Sequence, residues 1–329
     1  MKLEDYVEKF MSTCVKNRAT DLYLLPKLDD YQVMYKKLNR CHLIQEVPQQ
    51  VGEQLIAFFK FQADMALSEK RRPQTGAYYW HQEDGKVVHL RLSTVGDFLN
   101  RESLVIRFIY PISEAHIQHL DPPQWHELIE LTNKRGLLLF SGPMGSGKTT
   151  SIYQLARYLA KEKVVMTIED PVEIFEKDFL QLQVNTRAKM NYEQLLKVGL
   201  RHRPDIFIIG EIRDNHTANV AVKAALSGHL VLSTVHAQNV FGVIRRLKQF
   251  DVDPEMLQQA LCGVAYQRLI PTKDDEVAAL FDIMQGKQLQ TAFREIPENK
   301  MTANWGNCLA REYQKSRISE ETLVEYQEG

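Results

Sequence analysis

Residues 142–149 read GPMGSGKT, which meets the spacing GxxxxGK[ST]. Gly142, Gly145 and Gly147 let a backbone wrap so that its N–H groups point inward at phosphate oxygens. A helix starting directly behind the loop adds its positive end. Lys148 then neutralises β- and γ-phosphates, and the Thr149 hydroxyl is placed to ligate Mg²⁺. The whole run is expected to hold a nucleoside triphosphate, with Pro143, Met144 and Ser146 in the loop and Thr150 behind it.

Two acidic runs follow. Residues 164–168 form an apolar run that ends in Glu169-Asp170-Pro171-Val172-Glu173, and 205–210 leads into Glu211-Ile212-Arg213-Asp214. In a parallel sheet, ligands sit beyond the carboxyl ends of the strands, so acids there face the phosphate loop. Either Glu169 or Glu211 can orient a water or hold a Mg²⁺-bound water, and residue types alone leave open which does which. Arg213 has Asp214 beside it as an expected partner. A further apolar run, 229–234, begins at His229 and leads into His236, which is expected at the same edge, within reach of a γ-phosphate.

These residues need a scaffold. Between the apolar runs 137–141, 164–168, 205–210 and 229–234 lie helical stretches over 149–161, 192–202 and 217–227. That alternation predicts a parallel sheet covered on both faces. Before it the pattern differs. Leu3, Tyr6, Val7, Phe10, Met11, Cys14 and Val15 recur at helical spacing. Short strands are expected at 21–25 and 31–38, a helix over 50–67, a hairpin over 77–95 turning at Glu83-Asp84-Gly85, and a strand over 103–110. This makes an α+β unit, joined by a proline-punctuated linker, and the tail after about residue 271 reads as charged and helical.

The 329 residues carry 41 Lys and Arg against 42 Asp and Glu, for a formal net charge of −1. That balance excludes a broadly basic nucleic-acid binder, and Lys70-Arg71-Arg72 is too short a run to change it. Cys14, Cys41, Cys262 and Cys308 form no CxxC pair, which leaves no zinc knuckle or dithiol redox motif. No apolar run approaches the ~18 residues of a membrane span, and the first residues are too acidic for a signal peptide, so a cytoplasmic location is expected.

Taken together, the boxes resemble those of the secretion and type IV pilus motor ATPases. GPMGSGKT matches the Walker A loop, TIEDPVE (167–173) the acidic box, RPDIFIIGEIRD (203–214) the Walker B-like segment and SGHLVLSTVHA (227–237) the histidine box. Smaller matches lie at Gln183-Val184-Asn185, Leu200-Arg201 and Gln267-Arg268-Leu269. The resemblance implies an α/β fold in which a smaller PAS-like α+β domain (1–112) and a linker (113–123) precede a RecA-like P-loop motor domain with a helical tail (124–329).

It further implies an ATP-hydrolysing homo-hexamer. Such a ring lies peripherally at the cytoplasmic face of the membrane on an integral-membrane pilus assembly platform, touching pilins only indirectly and binding no nucleic acid directly. Carried over by position, Glu169 is the residue that polarises the attacking water and Glu211 the Walker B acid acting through Mg²⁺. His229 and His236 are site histidines, and Arg91, Arg107 and, by a weaker match, Arg101 complete the site of a neighbouring subunit. The chain lacks the four-cysteine zinc insertion, the additional N-terminal domain and the retraction motors' AIRNLIRE signature. Those departures point to the competence-pilus assembly branch of Gram-positive DNA-uptake systems. A conjugation or type IV secretion ATPase and a nucleotide-dependent scaffold with little turnover are the alternatives.

Overall fold

A computed structural model describes residues 2–37, 40–82, 85–111, 117–185, 188–274, 276–295 and 300–329. The chain divides into two compact units, Met1–Pro111 and Ile112–Gly329. In the first, α1 (Leu3–Lys16) precedes β1 (Asp21–Pro26), β2 (Asp30–Lys37) and β3 (Arg40–Pro48). Then come α2 (Gln49–Gln62), β4 (Gln74–His81), β5 (Val87–Gly96) and β6 (Glu102–Ile109). The helical spacing read from α1 has its cause in packing: Val7, Phe10, Met11 and Cys14 are buried, while Glu4 and Asp5 lie in the first turn and Lys16 in the last, as the helix dipole favours.

The strands form one antiparallel sheet in the order β3-β2-β1-β6-β5-β4. Leu22, Ile106 and Leu92 face one another across three strands and pack with Phe10 and Phe59 in a single core. Their neighbours Asp21, Arg107 and Arg91 form a row one residue along, on the opposite face. The expected hairpin exists as β4 and β5, but Glu83 and Asp84 of its turn lie outside the described residues. The expected second helix ends earlier, at Gln62.

The second unit runs β7 (Gln118–His119), α3 (Pro122–Leu131), β8 (Gly136–Ser141), α4 (Lys148–Leu159), β9 (Val165–Glu169), β10 (Leu180–Gln183) and α5 (Tyr192–His202). It continues with β11 (Ile206–Ile212), α6 (Asn215–Leu226), β12 (Leu230–Val235), α7 (Val240–Gln249) and α8 (Pro254–Ala260). Last come β13 (Leu261–Pro271), β14 (Val277–Gln285), α9 (Gly286–Arg294), α10 (Ala303–Gln314) and α11 (Glu320–Glu325). The eight-stranded sheet has the order β10-β9-β11-β12-β8-β13-β14-β7 and is parallel except where β14 pairs with β13. Alternate residues of one strand serve two cores. Leu137 and Leu139 join Val220 of α6 and Val243 of α7, whereas Leu138 and Phe140 join Leu128 of α3 and Ile152 of α4. Burial on both faces explains the unbroken apolar runs.

Two expectations need correction. Part of the supposed linker belongs to the sheet: Gln118 and His119 pair with Ala278 and Ala279, and α3 begins at Pro122; residues 113–116 lie outside the described residues. The tail also opens with a strand, because Val277–Gln285 supplies a nearly continuous buried run against β13 before three helices follow. No described helix is long and apolar enough to cross a membrane.

Candidate functional site

Strand β8 is buried along its whole length and delivers the chain into the loop at 142–147. Gly142 has φ +141°, and a Cβ there would fall 2.3 Å from the Gln267 carbonyl oxygen of β13. The glycine is required because neighbouring backbone already fills that space. Gly147, at φ +82°, caps α4. The Ser146 hydroxyl is buried and has no hydrogen-bond partner among the described residues. Lys148 donates from Nζ to the carbonyls of Gly142 (2.9 Å) and Pro143 (2.8 Å). Burial pulls its pKa below that of an ordinary lysine, and the nearby charges of Glu211 and Glu173 oppose the shift. An orphaned hydroxyl, a cation and a helix N-terminus around a glycine-rich loop fit a polyphosphate. Thr150 follows on α4, and Met144, 90% exposed, stands at the loop's rim.

Parallel pairing brings the acids to this edge. Glu169 is the last residue of β9 and Glu211 lies on β11, so both sit within strands and not past them. A register irregularity at Gly210 separates Ile209 from Glu211 along β12. The two carboxylates have different surroundings. Glu169 is 3% exposed, accepts a 2.5 Å hydrogen bond from the Tyr153 hydroxyl of α4, and is pushed above the usual carboxylate range by burial. Glu211 is 19% exposed and accepts from Arg213 Nε at 2.6 Å, with His236 Nε2 at 2.8 Å from its other oxygen.

The expected Arg213–Asp214 partnership is therefore replaced by Arg213–Glu211, because Asp214 caps α6 by accepting from Thr217 N–H. Glu173, in the same acidic box, has a carboxylate oxygen 3.5 Å from the Thr149 hydroxyl. Among the described residues no cluster of three or more His, Cys, Asp or Glu side chains could hold a metal by itself. A Mg²⁺ here would therefore take Thr149, water and phosphate oxygens as ligands, as that ion prefers.

The two histidines separate. His236 follows the carboxyl end of β12, as expected. His229 lies at the opposite end, where its carbonyl accepts from Gly136 N–H at the start of β8. Its ring meets Phe207 edge-on, with Nδ1 3.3 Å from the Ala224 carbonyl. The six paired residues from Leu230 to Val235 place it roughly 20 Å from the loop, so the expected nucleotide contact within the subunit does not hold.

In the first unit, Arg91 and Arg107 are cross-strand partners, and Arg107 pairs with Asp21 at 3.1 Å while remaining 55% exposed. Arg101 is placed otherwise. It bonds Asp97 (2.7 and 2.9 Å) and the Lys27 carbonyl (2.6 Å), holding the β5–β6 turn to the β1–β2 turn, which is not the setting of a free catalytic cation.

Residue types gave no role to Tyr153, Glu173 or Gln267, although Glu173 and Gln267 lie inside the quoted boxes. Gln267, fully buried on β13, donates from Nε2 to the Ser146 carbonyl at 2.8 Å and braces the loop from beneath.

Residues 1–327 match the family model described as "Type II/IV secretion system protein". The chain belongs to that family. It is 43% identical to the competence protein ComGA of Streptococcus pneumoniae (strain ATCC BAA-255 / R6), covering 82% of this chain and 85% of that one. To ComGA of Bacillus subtilis (strain 168) it is 34% identical over 90% of each. The fold is shared with the pilus retraction motor PilT solved with ADP (TM-score 0.73, 20% identity, 97% of this chain and 96% of that one). Like other type II/IV secretion proteins it is an ATPase, with an α/β motor unit of RecA-like fold, and this agrees with the resemblance carried by the four sequence boxes.

Proposed function

We propose that this ATPase is the motor that assembles a competence pilus for DNA uptake. One observation carries the reading: Lys148, Thr149, Glu169 and Glu211 converge at one edge of the parallel sheet in a chain that resembles competence proteins over most of its length. In this reading Lys148 and the loop amides bind the β- and γ-phosphates. Glu169 takes a proton from the attacking water, and Thr149 and Glu211 are the residues that would hold a Mg²⁺ ion. The ion, when bound, neutralises charge on the phosphates.

Six subunits form the ring in this proposal. Arg91 and Arg107, on the row of the first unit's sheet opposite its core, reach the nucleotide of a neighbouring subunit. The ring rests at the cytoplasmic face of the membrane on an integral-membrane platform and acts on pilins through it, without binding DNA.

The test is Lys148→Ala, measured as ATP turnover of the purified protein and as pilus formation and transformation in cells carrying the variant. All three should be lost. Normal turnover would overturn the site, and lost turnover with normal transformation would separate the ATPase from the pilus.

A further inference from the structure

The carboxylate assigned above as the base is held by a chain of hydrogen bonds whose directions can be worked out atom by atom. The Glu176 backbone N–H can only donate, and it lies 2.9 Å from Gln181 Oε1. That fixes the orientation of the Gln181 amide: its oxygen accepts, so Nε2 must donate. Nε2 lies 2.7 Å from the Ile174 carbonyl, which only accepts, and 2.8 Å from the Tyr153 hydroxyl oxygen. Tyr153 carries a single proton. With its oxygen already accepting from Gln181, that proton lies along the 2.5 Å contact to Glu169 Oε1. The phenol is fully buried and its ring packs against Phe179 at 5.5 Å, so the donor is fixed in place as well as in direction.

We propose that Gln181 and Tyr153 form a positioning pair for the hydrolytic glutamate, in which the amide of β10 orients the phenol of α4 and the phenol fixes the rotamer of Glu169. The proposal rests on Glu169 acting as base. Tyr153 sits one helical turn beyond Thr149 on the helix that begins at the phosphate loop, so the same rigid element that holds the nucleotide also holds the base. Burial disfavours the charged form of Glu169, and the hydrogen bond from Tyr153 is the largest effect that opposes it. The titratable groups facing this carboxylate are Tyr153 from α4, Glu173 from the loop after β9 and Tyr192 from α5.

Three variants test the pair through the steady-state kinetics of the full chain. Tyr153→Phe keeps the packed ring and removes only the donor. Gln181→Glu keeps the shape but leaves an acceptor where a donor stood, so the phenol proton turns away from Glu169. Each should lower kcat about tenfold to hundredfold, the range for losing a hydrogen bond to a charged group, with KM for ATP changed less than twofold. The acid limb of the kcat–pH profile should move to higher pH in Tyr153→Phe. Gln181→Met, which leaves the phenol free to donate to Glu169, should cost less than either. Glu169→Gln, run alongside, separates the two readings. If it retains wild-type turnover, the assignment of the base fails. If it is inactive while Tyr153→Phe keeps wild-type kcat and pH profile, the positioning pair fails and the base stands. A fall in kcat matched by a rise in KM and a lower melting temperature in all three variants would make the pair merely structural and overturn the proposal.

Discussion

The two sheets of this molecule place polar side chains in opposite ways. In the first unit an antiparallel sheet buries Leu22, Ile106 and Leu92 on one face, which leaves the other face to the row Asp21, Arg107 and Arg91. On that face Arg107 is half-exposed and paired with the buried Asp21, and Arg91 is partly buried beside it. In the second unit helices cover both faces, and Lys148, Glu169 and Glu211 gather where the strands end. Groups gathered at an edge converge on a point within the unit. The proposed division of labour, a phosphate site within the second unit and arginines of the first unit acting on a neighbouring subunit, is what the following experiments test.

The strongest test of that contrast mixes subunits. Arg91→Ala/Arg107→Ala should reduce ATP turnover by about 10³–10⁵-fold, the value of an arginine finger. Mixed with Glu169→Gln subunits, also nearly inactive, the double variant should recover part of the rate, because some interfaces then pair intact arginines with an intact base. Absence of recovery in rings shown to have exchanged subunits would confine the arginines to their own chain.

At the edge, Glu169→Gln should bind ATP but hydrolyse it about 10²–10⁴-fold more slowly, as expected for a lost general base. If Glu211→Gln gives that result and Glu169→Gln does not, the roles of the two carboxylates are exchanged. Gln267→Ala, which removes the brace beneath Ser146, should raise KM for ATP about tenfold and leave kcat nearly intact, the scale of leaving one buried carbonyl unpaired. An unchanged KM would show that the loop keeps its shape unaided.

The smallest effect is one of stability. Burial raises the Glu169 pKa in the folded protein, so the folded state holds that proton more tightly than the unfolded chain. Its contribution is fully present below the unfolded-chain value and is lost as pH rises through the raised folded value. Glutamine has no proton to lose. The melting temperature of Glu169→Gln relative to wild type should therefore climb from acid to neutral pH, and a flat or falling difference would contradict the burial argument.

Legibility in the sequence tracked how local each cause was. Helix α1 could be read because one face is buried and the other is charged, and β8 because both its faces are buried. Strand β3 escaped notice: most of it is exposed, with Arg40, Cys41 and His42 showing no alternation. Strand β14 contains Ala278, Ala279, Leu280 and Met284, good helix formers, and only pairing with β13 makes them a strand. The phosphate loop was readable in full because its chemistry lies in eight consecutive residues. The acids were expected just past the strands and lie within them, at the same edge, and nothing within their boxes shows that Glu169 turns toward a tyrosine 16 positions earlier or that Glu211 pairs with Arg213. His229 was read correctly at the start of its run, and its site role came only from the resemblance of the box, which does not account for the length of strand between it and His236.

The two carbonyls that hold Lys148 have a consequence for ligand discrimination and for release. A ligand that reaches the ammonium must compete with the oxygens of Gly142 and Pro143, two charge-assisted bonds each worth about 1.5–3 kcal/mol. In the proposed site a nucleoside or its monophosphate would have no second phosphate to offer in exchange, so the loop would favour ligands with a longer phosphate chain. The exchange also runs backwards. In the proposed site, loss of the terminal phosphate would return the carbonyls of Gly142 and Pro143 to competition with the remaining diphosphate for the ammonium.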